Sequence, residues 1–397
     1  MLEYLRTYDL DKCCGCNTCA EICPKNAIFM QKNEEGFLYP VLDEKKCIHC
    51  GLCEAVCPEM SVPEIRKPRA IYAVQYKKDN ELFRSSSGGA FRFLADKIIS
   101  DGGYVVGCTW NKKMEPVLSI AGTTDELEAM QGSKYLSSNA GTIYTKVKKL
   151  LDGGYKVLFT GMPCQCAGMI KFLRKPYENL ITMDFLCHGV PSQDIFDSFR
   201  KSCEKKYGNR TMEAYSFRDK EKHGWSLSES FQIENRKYYQ HGLTSPYLYG
   251  FVKGYFNRYS CYSCLFRGEE RFTDFTVCDF WGYERYYKKI DYRKGVSALQ
   301  VNTEKAEQIF CEEKDKLIVH EVKRKEVAHE NPDILECINL TIPYIRKSIY
   351  SDIEKNGWDK VEKKYLHCKH YTAKKIWYIL PDGMTRKIKD ILKKIQG

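Results

Sequence analysis

Two stretches of the chain hold cysteines at a spacing suited to one kind of chemistry. The first reads Cys13-Cys14-Gly15-Cys16-Asn17-Thr18-Cys19-Ala20-Glu21-Ile22-Cys23-Pro24, and the second Cys47-Ile48-His49-Cys50-Gly51-Leu52-Cys53-Glu54-Ala55-Val56-Cys57-Pro58. Each repeats C-x2-C-x2-C-x3-C-P, the bacterial run for 4Fe–4S clusters. Three close thiolates wrap one face of an iron–sulfur cube, and the fourth reaches the other cube. In that register Cys13, Cys16, Cys19 and Cys57 hold one 4Fe–4S cluster, and Cys47, Cys50, Cys53 and Cys23 hold its twin. Cys14 does not fit the register and reads as a small packed or solvent-facing thiol. Structural zinc would use two separated C-x2-C pairs and leave the remaining thiolates and both prolines without a role. Disulfides would need an oxidising compartment, which the N-terminus does not announce.

The whole chain bounds the setting of this chemistry. Its 397 residues, 43% hydrophobic and 13% aromatic, can bury a real core. The length suggests two or three domains. Nine of the twenty cysteines lie before residue 58, and the opening Met1-Leu2-Glu3-Tyr4-Leu5-Arg6 lacks a signal peptide's apolar core. No apolar run is long enough to span a membrane. A reducing, cytoplasmic location is therefore expected. The net charge of +11 is concentrated at one end, where residues 346–397 carry fourteen Lys or Arg against six Asp or Glu. A basic tail on a near-neutral body fits nucleic-acid binding poorly, since that would place basic charge and aromatics on a folded face.

These cysteines need elements to position them. Residues 1–60 read as a ferredoxin-like module with a repeat offset of 34 residues, from Cys13 to Cys47. Residues 61–70, with Pro63 and Pro68, read as a linker. From Ile71 onward strands alternate with helices. Strands are expected over Ile71–Tyr76, Tyr104–Trp110, Val117–Ala121, Lys156–Thr160 and Leu180–Cys187. Helices are expected from the Ser85–Gly89 turn to about Ser100, over Thr124–Met130 and Thr142–Leu151, after Pro163 to Arg174, and over Ser192–Tyr207. Phe91, Leu94, Ala95, Ile98 and Ile99 share one face of the helix that ends near Ser100. The expected fold class is α+β and α/β: a small two-cluster ferredoxin-like domain, a mixed α/β domain over 71–335, and a helical basic C-terminal extension over 336–397.

A second redox constellation lies in the α/β region. Cys164 and Cys187 follow predicted strands, and ligands in open α/β sheets gather at the carboxyl ends of strands. With the pair Cys261-Tyr262-Ser263-Cys264 they make four thiolates, enough for a third 4Fe–4S cluster. The alternative is that they are ordinary buried thiols, which is the reading for Cys108, Cys203, Cys311, Cys337 and Cys368.

In order along the chain stand Cys13–Cys57, Ser86-Ser87-Gly88-Gly89, Gly132-Ser133-Lys134-Tyr135, Gly161-Met162-Pro163-Cys164-Gln165, Cys187-His188-Gly189-Val190-Pro191-Ser192, Cys261-x2-Cys264 and Asp279-Phe280-Trp281-Gly282. This ordered set resembles the coenzyme F420 hydrogenase/dehydrogenase beta-subunit family over about residues 10–285. The resemblance implies an iron–sulfur flavoprotein that uses FAD and 4Fe–4S clusters to pass electrons between one-electron carriers and an organic hydride acceptor. It also strengthens the third cluster at Cys164, Cys187, Cys261 and Cys264. Three departures stand out: Met162 replaces a more usual hydroxyl residue, Cys166 adds a thiol, and Cys278 precedes Asp279 where glycine is usual. Cys166 or Cys278 could therefore substitute for one of the four ligands.

For FAD, the Ser86, Ser87, Gly88 and Gly89 turn at a helix N-terminus offers N–H donors and a positive dipole. A plain serine cap is the simpler reading. Lys134 could pair with a phosphate or polarise the flavin ring, or be a solvated lysine. No G-x-G-x-x-G follows a strand, so an ordinary dinucleotide fold is not supported. His188 is a candidate proton relay and Asp279 a candidate site carboxylate, against structural roles for both. In Met384–Ile395, Ile388, Ile391, Leu392 and Ile395 share a helical face opposite lysines. Such a helix could contact an anionic membrane or a partner, or pack on its own domain. The reading is an oxidoreductase served by a ferredoxin-like donor or complex subunit and acting on a small organic acceptor. Its rivals are an electron-transfer subunit with no substrate of its own and a non-redox iron–sulfur structural or sensing protein.

Overall fold

The computed structural model describes residues 2–331 and 340–379. Its N-terminal module repeats its local geometry along with its sequence. Gly15 and His49, at equivalent places in the two cysteine runs, have φ of 73° and 53°, and Asn17 and Gly51 both have φ of 74°. Gly, Asn and His are the residue types that enter this left-handed region most easily. Each left-handed turn opens a short helix, Thr18–Ile22 in the first run and Leu52–Ala55 in the second. Between the runs, strands β1 (Ile28–Lys32) and β2 (Leu38–Leu42) pair antiparallel, with Ile28 opposite Leu42. The Asn33 side chain accepts from Phe37 N–H at 2.9 Å and closes that hairpin.

The main sheet takes eight strands. These are β3 (Ala70–Tyr76), β4 (Tyr104–Trp110), β5 (Pro116–Ala121), β6 (Val157–Thr160) and β7 (Leu180–Phe185). Three strands that form a separate sheet follow in the chain: β8 (Met212–Ser216), β9 (Ser228–Ile233) and β10 (Arg236–His241). The main sheet is completed by β11 (Phe275–Asp279), β12 (Ser297–Val301) and β13 (Leu317–Glu321), in the order β13-β3-β12-β11-β7-β6-β4-β5. β4, β6, β7 and β11 run parallel, and β12 is antiparallel to both β11 and β3. The carboxyl ends of β3, β4, β6, β7 and β11 therefore share one rim. This is the mixed α/β sheet expected from the alternation of elements.

Both faces of the sheet are covered. Helix Ala90–Ser100 packs Phe93, Leu94 and Ile98 against Val105 of β4, Leu158 of β6 and Leu299 of β12. Helices Ile143–Asp152 and Pro163–Leu173 pack Tyr144, Val147, Met169 and Phe172 against Val106, Val157 and Phe159 on the other face. Neighbouring residues such as Val105 and Val106 enter opposite layers because strand side chains alternate. This two-sided burial is why these strands read as continuous apolar runs.

The chain divides into two compact units, one of residues 1–195 and 257–342 and one of residues 196–256 and 343–397. This differs from the expected boundaries at 60, 70 and 335. The ferredoxin-like module shares a unit with the sheet, and residues 61–70 are tied along it: Arg66 bridges Arg271, and Arg69 N–H donates to Val301 O. The second unit unites segments far apart in sequence through aromatic packing. Tyr247 lies against Phe196, Phe199, Phe217 and Phe256, and Trp358 against Phe199 and Phe256. A reading by local pattern has no access to contacts across a hundred residues.

The C-terminal region is helical where described, over Arg346–Asn356, Trp358–Tyr365 and Tyr371–Ile379. The expected amphipathic helix over Met384–Ile395 lies outside the described residues. Among the described residues no helix is long and apolar enough to cross a membrane.

Candidate functional site

The N-terminal cysteines line two cavities. One, of about 270 Å³, is bounded by Cys13, Cys14, Cys16, Cys19, Cys57 and Pro58. The other, of about 170 Å³, is bounded by Cys23, Pro24, Cys47, Cys50 and Cys53. The fourth cysteine of each run thus faces the cavity of the other run. Among the described residues no three His, Cys, Asp or Glu side chains converge as they would on a single ion. Thiolates on separate corners of a cube need no such convergence. Burial pushes the Cys13 thiol up to about 11, with Arg258 opposing, and pushes Cys57 up to about 12 with help from Cys16. Cys19 is raised by burial and then by Cys16, Cys13 and Cys57. Thiols in this state favour their neutral form until a strong cation between them inverts the preference. The donor set therefore suits an iron–sulfur cluster.

Several residues outside the module hold the Cys16 loop in place. Tyr144 OH donates to Cys16 O at 2.8 Å, and Asn17 Nδ2 donates to Gly141 O at 2.5 Å. The Glu21 carboxylate accepts from Tyr144 and Thr145 N–H at 3.4 and 3.0 Å, at the start of helix Ile143–Asp152. Gly168, within helix Pro163–Leu173, faces the loop so closely that a Cβ there would fall 2.4 Å from Thr18 Oγ1 and 3.4 Å from Cys16 Cβ. None of these residues outside the module lies in a motif. Arg258, three positions before Cys261, is the most connected of those that sequence reasoning missed.

The central cysteines also come together. Cys164 is the second residue of helix Pro163–Leu173, after β6, and Cys187 stands two residues past the end of β7 rather than within it. The Cys264 thiol is raised by burial and then by Cys261, Cys164 and Cys187. Cys261 is pushed up to about 12 by burial, with Cys187 the next cause and Cys164 contributing. The alternative thiols are placed differently. Cys166 is fully buried, with its Sγ 3.7 Å from Gly161 O and 3.6 Å from Met183 O. Cys278 is raised by burial and Asp279, with none of the quartet among its causes. Cys14 has a definite position instead: its thiol hydrogen-bonds with Cys16 and with Cys164. One residue touches both groups of sulfurs.

The candidate flavin residues stand elsewhere on the same rim. Four strand spacings separate β6 from β3, about 19 Å. Ser86 Oγ accepts from Ser133 N–H at 2.7 Å, and Ser87 Oγ donates to Val296 O at 2.9 Å. Gly88 N–H donates to Ser297 Oγ at 2.9 Å, and a Cβ on Gly88 would lie 2.2 Å from Val74 O. The backbone of the sheet thus already requires glycine at position 88. Gly89, with φ of 83°, precedes helix Ala90–Ser100. The Lys134 ammonium donates to Gln131, Ala129 and Met130 carbonyls at 3.0, 3.2 and 3.3 Å. Desolvation lowers its pKa to about 8. Gly88 and Lys134 therefore do not fit a phosphate cradle, whereas Ser86, Ser87 and Gly89 remain at a helix start. His188 O accepts from Asn257 Nδ2 at 3.1 Å, and Asp279 ends β11 opposite Ser297.

Comparison with known proteins agrees with the pattern of motifs. Residues 12–60 match the model of the 4Fe–4S dicluster domain. Residues 154–325 match the model described as the C terminus of the coenzyme F420 hydrogenase/dehydrogenase beta subunit. No curated protein matches the chain. Among solved structures, one chain of the F420-reducing [NiFe] hydrogenase complex from Methanosarcina barkeri is similar, with 15% identity and a TM-score of 0.46 over 70% of this chain and 98% of that one. By its two matched regions this chain is an iron–sulfur protein of the coenzyme F420 hydrogenase/dehydrogenase beta-subunit family, with a 4Fe–4S dicluster domain at its N-terminal end.

Proposed function

We propose that the chain is an electron-relay oxidoreductase. Cys13, Cys16, Cys19 and Cys57 would hold one 4Fe–4S cluster, Cys47, Cys50, Cys53 and Cys23 its twin, and Cys164, Cys187, Cys261 and Cys264 a third. Clusters bound there supply one-electron transfer. The observation that carries this reading is the Cys14 thiol hydrogen-bonded with both Cys16 and Cys164, which brings the inner group of the module against the central group. The outer group contains the exposed Cys50, within reach of a redox partner such as a ferredoxin-like donor or another subunit of a complex. Tyr144, Asn17 and Gly168 hold the inner loop against the α/β body, so the relay runs through packed protein.

FAD and an organic hydride acceptor complete the reading, on the strength of the family resemblance. FAD, when bound, supplies the exchange between single electrons and a hydride. Ser86, Ser87 and Gly89 would meet its phosphates at the start of helix Ala90–Ser100. His188 would hold or move a proton beside Cys187, and Asp279 would orient it. A second reading, an electron-transfer subunit without flavin, is favoured by the structural roles of Gly88 and Lys134.

Anaerobic purification with iron and flavin quantitation separates these readings. Three cubes require about twelve iron atoms per chain. About eight would remove the central cluster, and about four would refute the paired module. Flavin released on denaturation supports the oxidoreductase, and its absence supports the electron-transfer subunit.

A further inference from the structure

Arg258 is 1% exposed, one of the largest fully buried side chains. Its Nε–H donates to Cys13 O at 2.7 Å, and Nη2 donates to Leu38 O at 2.8 Å. The same Nη2 lies 3.7 Å from Cys13 Sγ. The guanidinium stacks on Tyr39, 3.8 Å from the ring centroid. A Cβ on Gly15 would fall 2.8 Å from Nη1, so the glycine in Cys13-Cys14-Gly15-Cys16 admits this approach. The backbone of Arg258 is engaged at the other group of cysteines. Its N–H donates to Val190 O, three residues beyond Cys187, and its carbonyl accepts from Cys261 N–H.

No carboxylate pairs with Arg258 among the described residues; its electrostatic partners are Cys13, Tyr39, Cys14 and Cys261. A buried cation is costly unless something negative lies beside it. Four thiolates around a 4Fe–4S core make an anion. Each electron accepted adds one negative charge, with no bond formed or broken. Burial opposes that charge, and Cys16 and Cys19 are buried whereas Cys50 is exposed. The inner cluster would thus be harder to reduce than its twin unless a fixed positive charge offset the lost hydration. Net charge and hydrogen bonds to sulfur are among the factors that set cluster potentials.

We propose that Arg258 is the internal counter-cation of the cluster held by Cys13, Cys16, Cys19 and Cys57. It raises that cluster's reduction potential, so that the inner cluster can accept an electron arriving at the exposed outer one. This rests on the dicluster part of the reading above. It makes Arg258 a positioning and charge-setting residue, with no contact to substrate required.

The test uses the full chain purified without oxygen, as wild type, Arg258→Gln and Arg258→Lys. Iron content is measured, followed by redox titration monitored by electron paramagnetic resonance. In R258Q, one N-terminal cluster signal shifts to a more negative midpoint and the other stays in place. R258K restores most of the shift, which a purely geometric role for the planar guanidinium would not allow. Equal midpoints in wild type and R258Q, both fully loaded, overturn the proposal. Iron lost from R258Q but retained in R258K supports a role for the charge, and loss in both variants overturns it. Wild-type protein with about four iron atoms or fewer would instead refute the paired module itself.

Discussion

Gly168→Ala is a sharp test of how the α/β body holds the cysteine loop. In the interior of an exposed helix, glycine to alanine ordinarily adds about 1 kcal/mol of stability. Here the new methyl would lie 2.4 Å from Thr18 Oγ1 and 3.1 Å from Tyr144 OH. Thr18 is 0% exposed, and its Oγ1 lies 3.2 Å from Cys16 Sγ. A β-branched side chain has few rotamers to offer, so the loop itself must move. Overpacking of this kind costs about 1–3 kcal/mol. The sum is therefore a loss of about 0–2 kcal/mol in place of the usual gain. The displaced loop also carries Cys16 and Cys19, and with them one of the two N-terminal clusters, about four iron atoms. Iron-to-protein ratio and the urea midpoint of anaerobic samples read both effects. A G168A variant that gains about 1 kcal/mol and keeps all its iron would refute the reasoning.

Three further outcomes are expected. Cys14→Ala should keep the iron content of wild type, since Cys14 touches both sulfur groups without being assigned as a ligand; a loss of about four iron atoms would show that the register is wrong. Tyr144→Phe should lower stability by about 1 kcal/mol, the usual net value of one hydrogen bond, and somewhat more if Cys16 O is left without a donor; an unchanged urea midpoint would remove that bond from the account. Glu229 is fully buried, and burial raises its pKa to about 7 against the Ser245 and Tyr215 hydroxyls. Its native state keeps a proton that the unfolded chain has released, so its contribution to stability falls as pH rises from the ordinary carboxyl range to about 7, and then levels off. Urea midpoints at pH 5 and pH 8 should therefore differ less in Glu229→Gln than in wild type; the same difference in both would remove Glu229 as the cause.

The sequence alone determined the parts of this protein whose chemistry is local. Eight cysteines at ferredoxin spacing specify their own cavities, because each run needs only a turn and a short helix to fold three thiols inward. The strands and helices from β3 to β7 were legible for the same reason, since apolar period and turn residues are properties of neighbours in the chain. Tertiary structure decided what lies next to what. The assembly of residues 196–256 with 343–397 depends on aromatic contacts such as Phe199 with Trp358. Gly88, which reads as a cofactor glycine, is required by the carbonyl of Val74, and Lys134 turns to three carbonyls of the preceding turn. Cys14 and Arg258 carry no signal in the sequence. Their roles arise only where folding brings residue 14 to residue 164 and residue 258 to residue 13, since electrostatic and tunnelling contacts depend on distance in space.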